Sequence, residues 1–148
     1  MVAFKDHFSG VADVYLASRP TYPEALYDVI AAAVPASAQV WEPGCGSGQA
    51  TRGLAARFAH VYATDPSGAQ IERHWAQGQP DANVSLAVEP AETTALADGS
   101  VDLVAVAQAL HWFDRHRFFA TCERVLRPGG VLAAWTYQDI IFEDDLAE

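Results

Sequence analysis

The sequence predicts a doubly wound α/β domain, and three observations predict it. The first is Val40-Trp41-Glu42-Pro43-Gly44-Cys45-Gly46-Ser47-Gly48-Gln49, where an apolar, β-favouring pair runs into a turn of alternating glycines and then into a helical pattern. The second is Val101-Asp102-Leu103-Val104-Ala105-Val106-Ala107, a near-continuous apolar run suited to a parallel strand covered by helices on both faces. The third is the alternation of strand-like and helix-like segments along the chain, which favours crossover units over hairpins.

Each element has its own justification. Residues 8 to 16 carry Phe8, Val11, Ala12, Tyr15 and Leu16 at helical spacing, and Arg19-Pro20-Thr21-Tyr22-Pro23 breaks that helix because each proline disfavours helix in the residue before it. Pro23 opens a helix from Glu24 to about Val34, with an acidic first turn that suits the helix dipole. After the glycine turn a helix is expected from Gln49 to Phe58, then the strand His60 to Asp65. A helix from Ser67 to Ala76 follows, with Ile71 and Trp75 on one face and Gly78-Gln79-Pro80 as its stop. Asn83 to Val88 is the third strand. Asp98-Gly99-Ser100 turns into the fourth strand, 101 to 107. Asp114 caps a helix from Arg115 to Leu126, and Arg127-Pro128-Gly129-Gly130 turns the chain into a fifth strand from Val131.

Composition removes several function classes. At 148 residues and 51% hydrophobic, the chain fits one domain able to bury roughly 68–70% of its unfolded surface. A net charge of −10, with nine scattered basic residues, argues against nucleic acid as a partner. No stretch reaches the roughly 18 apolar residues of a membrane span, and the beginning lacks a signal-peptide pattern, so the expectation is a soluble, cytoplasmic chain without a membrane partner. The two cysteines, Cys45 and Cys122, lack zinc-ligand spacing and read as buried thiols; no metal site is expected.

A glycine turn between strand and helix can serve a dinucleotide, a nucleoside triphosphate or S-adenosylmethionine. The dinucleotide fingerprint G-x-G-x-x-G/A fails in both frames, since its last slot falls on Gln49 or Thr51. A phosphate loop needs a lysine, and the only lysine is Lys5. Glu42 at the strand end would repel a pyrophosphate and attract an ammonium group. The turn's glycines let a ligand approach the backbone, and the amides of the first helical turn are expected to face it. Asp65, 17 residues beyond Gly48, lies within reach of a ribose and can accept from both of its hydroxyls.

Glu42-x-Gly44-x-Gly46-x-Gly48, followed by Asp65 and by Leu126-Arg127-Pro128-Gly129-Gly130-Val131-Leu132, resembles the class I S-adenosylmethionine-dependent methyltransferases. Within that class the chain is most similar to the small-molecule group that includes trans-aconitate methyltransferase-like proteins, over residues 8 to 137. The resemblance implies a Rossmann-like sheet of parallel strands in the order 3-2-1-4-5, with S-adenosyl-L-methionine as cofactor. It implies an N-terminal helical cover (1–36), a cofactor-binding core (37–137) and an acidic tail (138–148). Its cofactor residues map onto Tyr15, Arg19, Glu42, Gly44, Cys45, Gly46, Gly48, Asp65, Pro66, Ala91, Glu92, Gln108 and Ala109, and its acceptor pocket onto Tyr22, His111 and Trp112. The residue that commonly takes the adenine amine is Asp; here that position is Pro90, which leaves Glu89 or Glu92 to serve.

The cofactor class brings its own electrophile, so no triad or metal is required, and a carboxylate acceptor would need no base. A phenol, amine or carbon acid would need one, and His111 at the reactive edge is the candidate, against its reading as a packed histidine. The family's C-terminal antiparallel strands are absent from this chain. The expected consequence is an exposed edge on the fifth strand, closed by a homodimer or by the remainder of a longer enzyme. Two other functions remain open from the residues: a non-catalytic cofactor-binding module, and a nicotinamide-dependent oxidoreductase, which the glycine spacing and Glu42 disfavour.

Overall fold

The computed structural model describes residues 22–78 and 80–137. The helix expected at 8 to 16, with Tyr15 and Arg19, and the acidic tail lie outside the described residues. Along the chain the elements are α1 (Glu24–Ala33), β1 (Gln39–Pro43), α2 (Thr51–Ala55), β2 (His60–Asp65), α3 (Gly68–Ala76), β3 (Val84–Val88), β4 (Val101–Ala107), a 3-10 turn (Leu110–Trp112), α4 (Arg115–Val125) and β5 (Leu126–Trp135). The strands form one parallel sheet in the order β3-β2-β1-β4-β5, as expected, so consecutive connections run outward on either side of β1 and leave a switch point between β1 and β4.

Two-residue alternation along the central strands divides the core into two layers. Val40, Val61, Ala63, Leu103 and Ala105 face α1, α2 and α3, together with Ile30, Leu54 and Ile71. Trp41, Val104 and Val106 face α4, together with Phe118, Cys122 and Val125. Because both faces are covered, the β4 sequence is apolar almost without interruption. Trp41 is fully buried, tilted against Phe118 at 6.1 Å between ring centroids, and its indole N–H donates to Thr64 Oγ1 at 3.1 Å.

Local contacts fix the helices. Asp114 accepts from the Arg117 N–H and caps α4, and Ser67 accepts from the Gln70 N–H and caps α3. Arg57 ties α2 to α1 through Glu24 and Asp28 and lies 4.9 Å above the Tyr27 ring. Gly53, in the middle of α2, is required because the Tyr27 ring occupies the space a Cβ would fill.

Three expectations need correction. The helix after the glycine turn is shorter than expected, beginning at Thr51 and ending at Ala55. On α3 the buried residues are Gln70, Ile71 and His74, whereas Trp75 is 49% exposed. That helix turns a polar pair inward, toward the glycine turn, which apolar periodicity cannot reveal. Finally, Arg127 to Gly130 is a large bulge within β5: Val101 pairs with Leu126 and Leu103 with Val131, so the intervening segment loops out, with Gly129 at φ +79°. The bulge lies at the amino end of the sheet, where Asp102 accepts from Arg127 (2.7 Å) and from the Gln39 N–H (2.8 Å). These two donors, the Gln39 amide first, hold the Asp102 carboxyl below its usual range.

Candidate functional site

Gly44, Gly46 and Gly48 all take positive φ, at +66°, +56° and +99°. They do so for different reasons. A Cβ on Gly44 would meet Ala109 Cβ at 2.8 Å and the Phe113 ring at 3.0 Å, so this glycine lets the end of β4 close against the end of β1. A Cβ on Gly48 would strike the His74 ring at 2.5 Å. A Cβ on Gly46 would meet no atom of the described residues within 4 Å, so it alone of the three has open space where a side chain would stand. His74 is buried, and that burial, aided by Arg52, lowers its pKa to about 4, so the ring that supports the turn is a neutral imidazole at ordinary pH.

The amides of the turn are directed inward. Cys45 N–H donates to Thr64 O at 2.9 Å, Gly46 N–H to Asp65 Oδ2 at 3.0 Å and Gly48 N–H to Cys45 O at 3.1 Å. These are amides of the glycine turn itself, distinct from those of the first helical turn, which begins at Thr51. Two carboxylates lie beside the turn. Glu42 is 1% exposed and accepts from Thr51 Oγ1 at 2.6 Å; Asp65 accepts from the Gly46 and Ser67 amides. Cys45 lies between them, and its thiol is pushed well above its ordinary value by burial and then by the Glu42 and Asp65 charges. It is therefore a protonated, inert wall. The turn is an acidic cup whose Cys45, Gly46 and Gly48 amides are satisfied, a poor seat for phosphate and a favourable one for a cation.

The loop after β3 closes one side. The Glu89 N–H donates to Asp65 O at 3.1 Å, and Ala91 is buried in the second core layer. Both carboxylates that sequence reasoning nominated for the adenine amine have other work. Glu89 accepts from Tyr62 Oη (2.8 Å), Thr94 Oγ1 (3.1 Å) and the Ala95 N–H (2.9 Å), while Glu92 accepts from the Asp114 N–H at 2.7 Å and its backbone carbonyl from Thr121 Oγ1 at 2.7 Å. Burial and Glu89 together raise the Tyr62 hydroxyl to about 12, keeping it a donor.

On the other side of the switch point, β4 is followed by Gln108, which adopts φ +60°, the sole positive φ among the described non-glycine residues. Ala109 is buried against Gly44. His111 and Trp112 sit on the 3-10 turn, both exposed, with ring centroids 4.8 Å apart. Tyr22 is buried and meets Trp135 edge-on at 5.8 Å, so it joins the end of β5.

An acidic, glycine-lined cup at the switch point of a 3-2-1-4-5 sheet narrows the ligand class, and likeness to known proteins decides the family. Residues 41–134 match the methyltransferase domain family. The chain belongs to the S-adenosylmethionine-dependent methyltransferases. It is 38% identical over 135 residues to a protein of Dictyostelium discoideum named as a methyltransferase, covering 90% of this chain and 50% of that one. It is 41% identical over 99 residues to trans-aconitate 2-methyltransferase of Deinococcus radiodurans, covering 65% of this chain and 36% of that one. A solved structure described as a type II methyltransferase from Anaeromyxobacter dehalogenans superposes with a TM-score of 0.73 at 48% identity, over 81% of this chain and 49% of that chain. The chain thus spans about half the length of the relatives it matches.

For a methyltransferase domain, the structure gathers Glu42, Gly44, Cys45, Gly46, Gly48 and Asp65 around one turn, and it brings Ala109 to that turn through Gly44. Gln108 stands next to them, while His111 and Trp112 are further along the same β4 end. Pro66 follows Asp65 at the mouth of β2. Sequence reasoning missed Thr51, Gln70, His74 and Thr136. The signal for His74 was present in principle, since a glycine at 48 implies a close neighbour, but the neighbour lies 26 residues later on a separate helix. No helix of the described residues is long and apolar enough to cross a membrane, and no cluster of His, Cys, Asp and Glu among them could hold a metal ion.

Proposed function

We propose that the chain binds S-adenosylmethionine across the carboxyl edge of β1, β2 and β4 and serves transfer of its methyl group to a small-molecule acceptor, with a carboxylate as the favoured class. The observation that carries this reading is the acidic cup with inward-bonded amides. A dinucleotide or triphosphate would bring negative charge to Glu42 and Asp65 and find the Cys45, Gly46 and Gly48 amides already used. An amino-acid nucleoside brings an ammonium and a sulfonium instead. The residues fit that group in one further respect: Gly46 leaves open space where any side chain would stand.

In this reading Asp65 receives the ribose hydroxyls, Glu42 supplies its charge from beneath the turn, and Gly46 gives the closest backbone approach. Pro66, Ala91 and Glu92 border the base. Because the Glu89 and Glu92 carboxylates hold the loop in place, the base is read by backbone and shape. The backbone of Gln108 and Ala109 borders the methionine end, with Tyr15 and Arg19 as cover. When bound, the cofactor supplies an electrophilic methyl group on sulfur. The chain's own residues orient the acceptor and exclude water around it. His111 serves as base only for an acceptor that must lose a proton, and Trp112 forms a wall.

The test is methyl transfer from labelled cofactor to a panel of carboxylic acids, phenols and amines. Transfer to a carboxylic acid that survives His111→Gln is the expected result; transfer confined to amines would overturn the favoured acceptor class. The outer edge of β5 has no sheet neighbour among the described residues, which favours a homodimer through that edge as a second proposal. Light scattering that gives a monomer at every concentration would remove it.

A further inference from the structure

Two buried hydrogen-bond donors at the carboxyl edge of the sheet have no partner among the described residues: Gln108 Nε2 and Trp135 Nε1. They belong to neighbouring strand ends, and the Gln108 N–H donates to Trp135 O at 2.9 Å, which fixes the two residues side by side. Native structures leave few buried N–H groups unmatched, and those that remain call for an explanation. Here both occur next to a residue in strained backbone, at the edge where open α/β sheets hold their ligands.

The polarity of this corner is determined. The indole N–H can only donate. The side-chain amide of Gln108 has its oxygen 2.7 Å from Thr136 Oγ1. That separation is the usual one for an O–H donating to oxygen and is short for an amide N–H, so the Thr136 hydroxyl donates and Gln108 Oε1 accepts. Gln108 therefore keeps its buried NH₂ as a donor with no partner among the described residues. Two groups that can only donate select a ligand atom that can only accept: an oxygen of a carboxylate or similar anion. An ammonium or amine proton would meet them with the wrong polarity.

Position assigns this oxygen to the methyl acceptor. Asp65 and the β3 loop, which would hold the nucleoside, lie on the β2–β3 side of β1, whereas Gln108 and Trp135 lie beyond the switch point on β4 and β5. We propose that Gln108 Nε2 and Trp135 Nε1 form a donor corner that binds an anionic oxygen of the acceptor, held in register by Thr136, with the Tyr22 ring packed edge-on against Trp135 as its apolar wall. This rests on the methyltransferase reading above. It adds which side chains recognise the acceptor and why an amine is refused.

The experiment uses the ¹⁵N-labelled chain saturated with S-adenosylhomocysteine and titrated with succinate or with 1,4-diaminobutane, probes of matched length and opposite charge. The Trp135 Nε1–H signal is assigned by its loss in Trp135→Phe, and the Gln108 side-chain signals by their loss in Gln108→Glu. Both are expected to move with succinate and stay fixed with diaminobutane. Trp135→Phe and Gln108→Glu are each expected to weaken succinate binding by about tenfold or more, and Trp135→Phe to do so with homocysteine-compound affinity held within about twofold. Signals that move equally for both probes, or for neither, overturn the proposal. So do signals that respond to S-adenosylhomocysteine alone and not to 5′-methylthioadenosine or succinate, because the donors then take the carboxylate of the cofactor. A chain that binds no S-adenosylhomocysteine defeats the methyltransferase reading itself and the corner with it, whereas binding without a succinate response defeats the corner alone.

Discussion

The two ends of the sheet treat polar groups in opposite ways. At the amino end, Asp102 is matched by Arg127 and the Gln39 amide, and the bulge in β5 folds over them. At the carboxyl end, Gln108 Nε2 and Trp135 Nε1 have no partner among the described residues, Gln108 holds a strained φ, and two carboxylates face a turn whose Cys45, Gly46 and Gly48 amides are already used. The amino end also keeps one buried hydroxyl, Ser100 Oγ, without a partner among the described residues, so the contrast lies in the donors, strain and carboxylates gathered at the carboxyl end. Substitutions should separate accordingly: those at the amino end should change stability alone, and those at the carboxyl edge should change ligand binding more than stability.

The sharpest contrast lies within the glycine turn. Gly48→Val is expected to cost about 3 kcal/mol or more of unfolding free energy, from positive φ and collision with the His74 ring, as read by urea denaturation. A loss under about 1 kcal/mol would show that His74 moves aside easily. His74 itself supplies the next largest effect. Its folded pKa, about 4, lies below the unfolded 6.5, so between those values the unfolded chain binds a proton that the folded chain refuses. Stability is therefore fully present above pH 6.5 and falls as the pH drops toward 4, by roughly 2–3 kcal/mol. Denaturation midpoints across that range should decline in the native chain and decline less in His74→Leu.

At the amino end, Asp102→Asn is expected to cost about 1–2 kcal/mol by weakening the bonds from Gln39 and Arg127, with cofactor affinity unchanged in calorimetry. Because the Asp102 carboxyl is depressed when folded, this contribution is present above the ordinary carboxylate range and lost as pH falls through it. A stability effect of similar size belongs to Gly46→Ala, about 1–2 kcal/mol from backbone handedness alone, since no atom of the described residues crowds its Cβ. Its effect on cofactor affinity should be the largest of the four. Equal effects of Gly46→Ala and Asp102→Asn on affinity would erase the distinction between the two ends.

Much of this was legible in the sequence because it is periodic or covalently local. The bounds of β2 and β4 follow from apolar runs with turn signals, and Asp114 caps α4 because a short polar side chain precedes the helical pattern. The glycine turn with Glu42 and Asp65 was visible as a spacing. What stayed hidden depends on contacts across the fold. Gln70 and His74 are buried on α3 although they are polar, so a hydrophobic reading turned that helix toward Trp75. Glu89 and Glu92 read as ligand groups until their bonds to Tyr62, Thr94 and Asp114 were seen. Unmatched donors at Gln108 and Trp135 have no sequence signature, since lacking a partner is a property of packing.

The central claim, that the acidic turn selects an amino-acid nucleoside over a phosphorylated one, is tested most directly by calorimetric titration of the chain with S-adenosylhomocysteine and, separately, with NAD. The account predicts one-to-one binding of the homocysteine compound, weakened about tenfold or more by Asp65→Asn, and no heat with NAD. Saturable NAD binding with no response to S-adenosylhomocysteine would contradict it.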